Sequence, residues 1–284
     1  MTYDYLGGSD RAERQLWTDL NAWMHMQAVQ WEAAGRELLA ELGNGTGLRV
    51  ADMGCGPLGW LRLLSHWVGP SGQVVGTEAA EAVAAQALLT VRSEGLSNVS
   101  IVMDDVLDSR LADGSFDLVH ARFMLAAVGQ PEAQLATYRR LVKPGGWLVL
   151  EEPDNASLRF NPGAPANERL ADLAATFFRG LGRDFDAGRQ VRSLLIACGE
   201  LAVLRARVLV LPPGHVYRAI VLMGATAIRD NLAERIGAEE VDRLLALARE
   251  ELDDPELWCS SFTLIQGCAR LAASQGLGAA RERE

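Results

Sequence analysis

A doubly wound α/β fold is predicted for this 284-residue chain by two observations. Short apolar segments alternate with helical ones across residues 48–152, and a glycine-rich turn stands where the first apolar segment ends. Such alternation needs a parallel sheet, because each crossover helix must return the chain to the same end of the sheet and the helices then cover both faces. With 49% hydrophobic residues, the chain can bury the core of one large domain with elaborations.

Taken in order, Trp17, Leu20, Met24, Trp31, Leu38 and Leu42 recur at spacings near three, four and seven, which predicts a helix from about Asp10 to Leu42. Core packing and lid formation explain that stripe equally well. Asn44-Gly45-Thr46-Gly47 ends the helix, and Leu48 to Met53 is the first strand. Strands follow at Gln73–Glu78, Val99–Met103, Phe116–Ala121 and Gly146–Glu152, separated by helical segments near 60–68, 80–95 and 131–142. Pro70-Ser71-Gly72 and Lys143-Pro144-Gly145-Gly146 are the turns that feed the second and fifth strands. Beyond Glu152 the pattern changes. A loop rich in Pro and Asn and a helix fill 153–187, a further helix runs from Arg189 to Cys198, and a strand covers Val203 to Leu211. A helical insert occupies about 216–253, and the last strand lies near Ser261 to Ala269. The expected organisation is an N-terminal helical lid (1–47), a core (48–152), a helical cap insert (153–200), the last strands with a second insert (201–271) and a frayed tail (272–284).

Composition narrows the function. A net charge of −10 and the lack of a basic stripe argue against a nucleic-acid partner. No run approaches the roughly 20 apolar residues of a membrane span, and Met1-Thr2-Tyr3-Asp4-Tyr5 lacks a signal-peptide pattern, so a cytoplasmic protein without a membrane partner is expected. Cys55, Cys198, Cys259 and Cys268 form no Cys-x-x-Cys pair and predict free buried thiols. A homodimer is left open, with no interface indicated.

In Val50-Ala51-Asp52-Met53-Gly54-Cys55-Gly56-Pro57-Leu58-Gly59 the glycines let the backbone turn tightly and approach a ligand, and the helix start beyond Pro57 offers N–H donors. Gly54-x-Gly56-x-x-Gly59 also fits the dinucleotide fingerprint, and Glu78 suits the ribose of either a nicotinamide or an adenosylmethionine cofactor. The glycines alone leave both open. Asp52, two residues before the first glycine, and further signals over the next hundred residues favour methyl transfer.

Those signals are Val74-Val75-Gly76-Thr77-Glu78, Asp104-Asp105-Val106, Ser115-Phe116-Asp117-Leu118-Val119-His120 and Leu141-Val142-Lys143-Pro144-Gly145-Gly146. With the glycine loop, they make the stretch from Leu48 to Asp154 resemble the class I S-adenosylmethionine-dependent methyltransferases, within the ubiquinone-methyltransferase-like group of small-molecule and natural-product enzymes. The resemblance implies a Rossmann-like, seven-stranded sheet whose last strand is antiparallel, with S-adenosylmethionine as cofactor. It implies that Asp52, Gly54 and Gly56 surround the methionine part, that Glu78 binds the ribose, that Asp105 and Val106 border the adenine, and that His120 and Ala121 lie near the reactive end. For Asp104 and Asp105 a solvated turn is the alternative. The leader Tyr3-Asp4-Tyr5-Leu6-Gly7-Gly8 resembles one that folds over the cofactor, placing Tyr5 on it; simple fraying explains it as well.

The implied activity is methyl transfer to an oxygen, nitrogen or carbon nucleophile of a small, partly apolar molecule, such as a secondary metabolite or lipid-like intermediate. His120 is the best-placed candidate base, although a histidine satisfied within the site and moving no proton fits equally; Asp154 is a second candidate base or substrate ligand. His215 reaches the pocket only if the late helices fold over it. Asp154-Asn155 resembles the metal-ligand pair of catechol O-methyltransferases, but Phe116–Arg122 lacks the accompanying carboxylate, so no metal is expected. The fourth strand also lacks the Asn-Pro-Pro-Tyr or Asp-Pro-Pro-Tyr pattern of DNA-adenine and protein-glutamine enzymes. Leu170, Leu173, Phe177 and Phe178, with Ile220, Leu222, Met223 and Ile228, either line an apolar pocket or pack against the sheet. Arg122, Arg159 and Arg218 are either anion ligands or solvated partners of nearby carboxylates. The alternatives of other classes are a cofactor-bound cyclase or isomerase, a nicotinamide-dependent oxidoreductase, and a binding protein without catalysis.

Overall fold

The computed structural model describes residues 10–273, with side chains from Ala22 onward. Helix α1 (Asp10–Leu42) leads into β1 (Arg49–Met53), α2 (Leu61–Val68), β2 (Gln73–Glu78), α3 (Glu81–Ser93), β3 (Val99–Met103), β4 (Phe116–Arg122), α4 (Met124–Val128), α5 (Pro131–Leu141) and β5 (Val142–Asp154). There follow β6 (Arg159–Asn161), α6 (Pro165–Gly180), α7 (Val191–Ile196), β7 (Glu200–Arg207), β8 (Val210–Leu211), α8 (Ile220–Ala227), α9 (Arg229–Ile236), α10 (Ala238–Leu252), β9 (Trp258–Ser260) and β10 (Thr263–Arg270).

Seven strands form the main sheet in the order β3-β2-β1-β4-β5-β10-β7. Strands β1 to β5 pair in parallel, and the last strand, β10, runs antiparallel to both β5 and β7. The doubly wound sheet with an antiparallel last strand is therefore present as expected. Because side chains alternate across a strand, Val50, Leu118, Val149 and Cys268 face one layer with Leu38, Leu61 and Val91 of α1 to α3, while Ala51, Val119 and Leu148 face the other with Tyr138 and Leu195 of α5 and α7. Both faces are covered, which is why the strands read as continuous apolar runs.

Two boundaries differ from the sequence reading. The expected strand Val203–Leu211 divides: β7 stays in the main sheet, whereas β8 joins a separate sheet of order β6-β9-β8. Leu209 N donates to Ser261 Oγ and Ser261 N to Leu209 O, both at 2.9 Å, and these bonds turn the chain off the main sheet. Strand β5 begins earlier than expected, at Val142, because the register steps from Phe116↔Val142 to Leu118↔Trp147 and absorbs Lys143–Gly146 as a bulge. The late helices α6, α8 and α10 pack on one another through Leu170, Leu173, Phe177, Leu222 and Leu244, and β6, β8 and β9 join α1 through Phe160, Leu211, Cys259 and Trp31. All four cysteines are buried and unpaired. Among the described residues no helix is long and apolar enough to cross a membrane.

Helix α1 lies across the sheet at a glycine. A Cβ on Gly35 would sit 2.9 Å from the Trp60 ring, which is fully buried and cannot retreat. Gly35→Val should therefore lower stability by about 1–3 kcal/mol, the usual range for overpacking. An unchanged urea midpoint would show that α1 is not seated on Trp60.

Candidate active site

The C-terminal ends of the parallel strands are brought level by their register, Met53 opposite Thr77 and Ala121, and Glu78 opposite Met103. This is the edge where open α/β sheets bind ligands. At the end of β1 the chain turns through Gly54 and Gly56, at φ 62° and 60°. Only glycine adopts that conformation without strain, and a Cβ on Gly54 would also strike Met124 Sδ at 2.0 Å. The loop is tied to β2: Gly54 N donates to Thr77 Oγ1 (3.3 Å), Cys55 N to Thr77 O (2.8 Å) and Gly56 N to Glu78 Oε2 (3.3 Å). Glu78 Oε1 accepts from Ala79 N (2.9 Å) and Ala80 N (3.3 Å). Burial nevertheless raises the Glu78 pKa, with Asp52 adding to the rise against those three N–H groups. Met24 of α1 reaches the loop, its Sδ 3.9 Å from where a Gly56 Cβ would be.

Asp52 is buried beneath this loop and does not face open space. Its Oδ2 accepts from Trp60 N (3.3 Å), and its Oδ1 lies 2.7 Å from His120 Nδ1. The other ring nitrogen, Nε2, is 3.1 Å from Glu151 Oε2. The imidazole is only 1% exposed and stacks on Trp60, centroids 3.8 Å apart at 14°. With an acidic group on each side, the doubly protonated ring satisfies both partners. Burial by itself disfavours that charge, but Asp52 and Glu151 outweigh it and hold the pKa above its usual 6.5. The row continues across the sheet: Gln266 Nε2 donates to Glu151 Oε1, and Arg205 Nε donates to Gln266 Oε1 at 2.8 Å. Arg205 in turn bonds Ala34 O (2.6 Å) and Glu41 on α1.

At the end of β3, Asp105 Oδ1 accepts from Leu107 N (2.9 Å) in a local turn, and Val106 is buried. Neighbouring Asp104 is the more deeply placed carboxylate: Oδ1 accepts from Arg110 N (2.8 Å), while Oδ2 is buried without a partner. Asp154 is not joined to His120. It lies beyond the end of β4, and Arg189 Nη2 donates to its Oδ1 at 2.7 Å. His215 caps a short helical turn by accepting from Tyr217 N (3.2 Å). Tyr5 and the leader lie outside the described residues. Trp60, Met124, Glu151 and Gln266 were not singled out in the sequence, and Met24 stood there only as part of the apolar stripe of α1. The one signal was the pair Glu151-Glu152, two charges at the end of an otherwise apolar run.

A family profile described as a methyltransferase domain matches residues 50–146. Nocamycin O-methyltransferase of Saccharothrix syringae is 34% identical over 118 residues, 42% of this chain and 42% of that one. The chain spans half or less of the length of the curated relatives it matches first. Among solved structures, geranyl diphosphate C-methyltransferase of Streptomyces coelicolor, in complex with S-adenosyl-L-homocysteine, superposes with a TM-score of 0.52 at 15% identity, covering 86% of this chain and 81% of that one. The [4+2]-cyclase SpnF superposes with a TM-score of 0.51 at 21% identity, covering 84% and 80%. At these identities the structural matches establish the fold.

The His120 row makes a directional prediction. A pKa raised by folding stabilises fully below the unfolded value, near 6.5, and that contribution is lost as pH rises through the folded value. The wild type should lose stability across that window. His120→Asn, which leaves two buried carboxylates without a counter-charge, should cost about 3–5 kcal/mol at pH 6 and flatten the dependence. Parallel pH profiles of the two proteins in chemical denaturation would refute the charged imidazole.

Proposed function

We propose, on the premise that residues 50–146 belong to the methyltransferase domain family, that this protein transfers the methyl group of S-adenosylmethionine to an oxygen, nitrogen or carbon nucleophile of a small, partly apolar molecule. The observation that carries the reading is the cradle at the sheet edge, where Gly54 is tied to Thr77 and Gly56 to Glu78, and the buried Asp104 Oδ2 has no partner. Beyond Gly56 a Cβ would meet nothing closer than Met24 Sδ. Glu78 and Asp104 give this edge acceptors and negative charge. That suits a ligand with an ammonium group, ribose hydroxyls, an adenine amine and a sulfonium, and it disfavours a dinucleotide, whose diphosphate those carboxylates would repel.

When bound, the cofactor would supply an electrophilic methyl carbon. The chain's own task is then alignment and exclusion of water. Glu78 and the glycine backbone hold the cofactor, with Asp105 and Val106 beside Asp104 at its adenine end. His120, with both nitrogens engaged, acts as a positioning residue: it fixes Asp52, and through Trp60 N the start of α2. Asp154, held by Arg189, orients the rim beyond β5. The buried, unpaired thiols suit a reducing compartment such as the cytoplasm.

Titration calorimetry with S-adenosylhomocysteine and NAD in parallel tests the cofactor. The adenosyl compound should bind and NAD should not; the reverse would overturn the reading. Glu78→Gln and Gly56→Val should each weaken the adenosyl compound by about tenfold or more, the loss expected for a hydrogen bond to a charged group. Unaltered affinity in both would dismiss the assigned site. Product mass separates methylation, which adds one CH2 unit, from cyclisation or isomerisation, which adds nothing.

A further inference from the structure

Among the described residues Arg49, Arg122 and Arg218 each carry a buried guanidinium nitrogen without a hydrogen bond, and of the three only Arg122 stands at the ligand-binding end of a parallel strand. Arg189, Arg205, Arg207 and Arg229 each pair with a carboxylate. Arg122 has no such partner among the described residues, and its Nη1 is buried without a hydrogen bond. It ends β4 one pleat beyond His120 on the same face, next to the ligand-binding edge and opposite Glu151. Glu151 is turned to other partners, one carboxylate oxygen to His120 and the other to Gln266.

The surroundings are aromatic and rich in donors. The guanidinium lies 5.5 Å from the Phe123 ring centre, and its charge acts on the phenol of Tyr217, which burial otherwise pushes up. Phe123 meets Phe262 edge-on at 5.9 Å, and Phe262 meets Trp31 at 5.2 Å and Tyr217 at 6.3 Å. Trp23, packed on the same cluster, has its Nε1 buried with no acceptor. Phe123 is held at φ 61°, a conformation that costs a bulky residue energy and persists where the surroundings demand it. Arg159 bonds Ala156 O and Leu158 O on the surface, and Arg218, whose Nε is also without a partner, is held through Nη2 by Leu252 O at the end of α10, inside the cap.

We propose that Arg122 binds an anionic oxygen group of the substrate, a carboxylate, whose flat conjugated body lies against the half-buried ring of Phe123, which Phe262 backs from the core. The planar fork of an arginine matches a carboxylate, and an unpartnered indole N–H nearby accepts only an acceptor-bearing ligand. This inference rests on the methyl-transfer reading of the same site and narrows its substrate to conjugated acids.

The test uses the full chain saturated with S-adenosylhomocysteine. Cinnamate, sorbate and 1-naphthoate are titrated beside their carboxamides, followed by tryptophan fluorescence and calorimetry. At least one acid should bind about tenfold more tightly than its amide, as expected for a charge-assisted contact. Arg122→Met should abolish that preference, Arg122→Lys should keep part of it, and Arg159→Met should leave it intact. Without ligand, Arg122→Met should melt at or above the wild-type temperature while still binding S-adenosylhomocysteine, because it removes a half-buried charge that pairs with no carboxylate among the described residues. Equal binding of acids and amides, no binding of any acid, or a melting temperature lowered by several degrees in Arg122→Met would overturn the assignment. Failure of the wild type to bind S-adenosylhomocysteine would instead sink the methyl-transfer reading, and this inference with it.

Discussion

The contact on which the rest of the site depends is His120 between Asp52 and Glu151. Two carboxylates desolvated under Trp60 are tolerable only with a positive charge between them, since an unpaired buried charge costs several kcal/mol. Once that charge is fixed, geometry follows outward. Asp52 holds the N–H of Trp60, which starts α2 and receives α1 at Gly35. Glu151 holds Gln266, Gln266 holds Arg205, and Arg205 returns to α1 through Ala34 and Glu41. One row of polar side chains thus crosses β1, β4, β5, β10 and β7 and meets the same helix at both ends.

The sequence revealed what depends on near neighbours. Parallel strands buried on both faces read as apolar runs, so Gln73–Glu78 and Val99–Met103 were placed to the residue. The glycine loop was legible because glycine with a positive φ is a local requirement. The role of His120 was not, because it depends on residues 68 and 31 positions away. A histidine at a strand end looks like a base until both ring nitrogens are seen to be engaged. Asp104 and Asp105 were equally indistinct, since adjacent acids differ only in which one the turn buries. Strands of two or three residues, such as β8 and β6, are too short to show a period.

The apolar residues of the two inserts divide along similar lines. Leu170, Leu173, Phe177 and Leu222 fill the interior of the cap, so most of the stripe that suggested a pocket is packing. A second cluster comes from other places: Trp23 and Trp31 on α1, Phe123 after β4, Tyr217 before α8 and Phe262 before β10. Four segments far apart in sequence supply one aromatic cluster, and no local pattern announces it.

The route of the chain between β7 and β10 has a consequence of another kind. These strands are neighbours in the main sheet, so everything between Arg207 and Thr263 leaves and returns at one place. A segment whose ends are held together can lengthen, shorten or change its helices at little entropic cost and without moving the strands that anchor it. The cofactor edge, at the far side of β5, is insulated from such change. A lineage could exchange one cap for another and keep its methyl-donor site. This is consistent with a likeness to curated relatives that covers half of this chain or less: the shared part is what every such enzyme must keep, and the remainder is where each is free to differ.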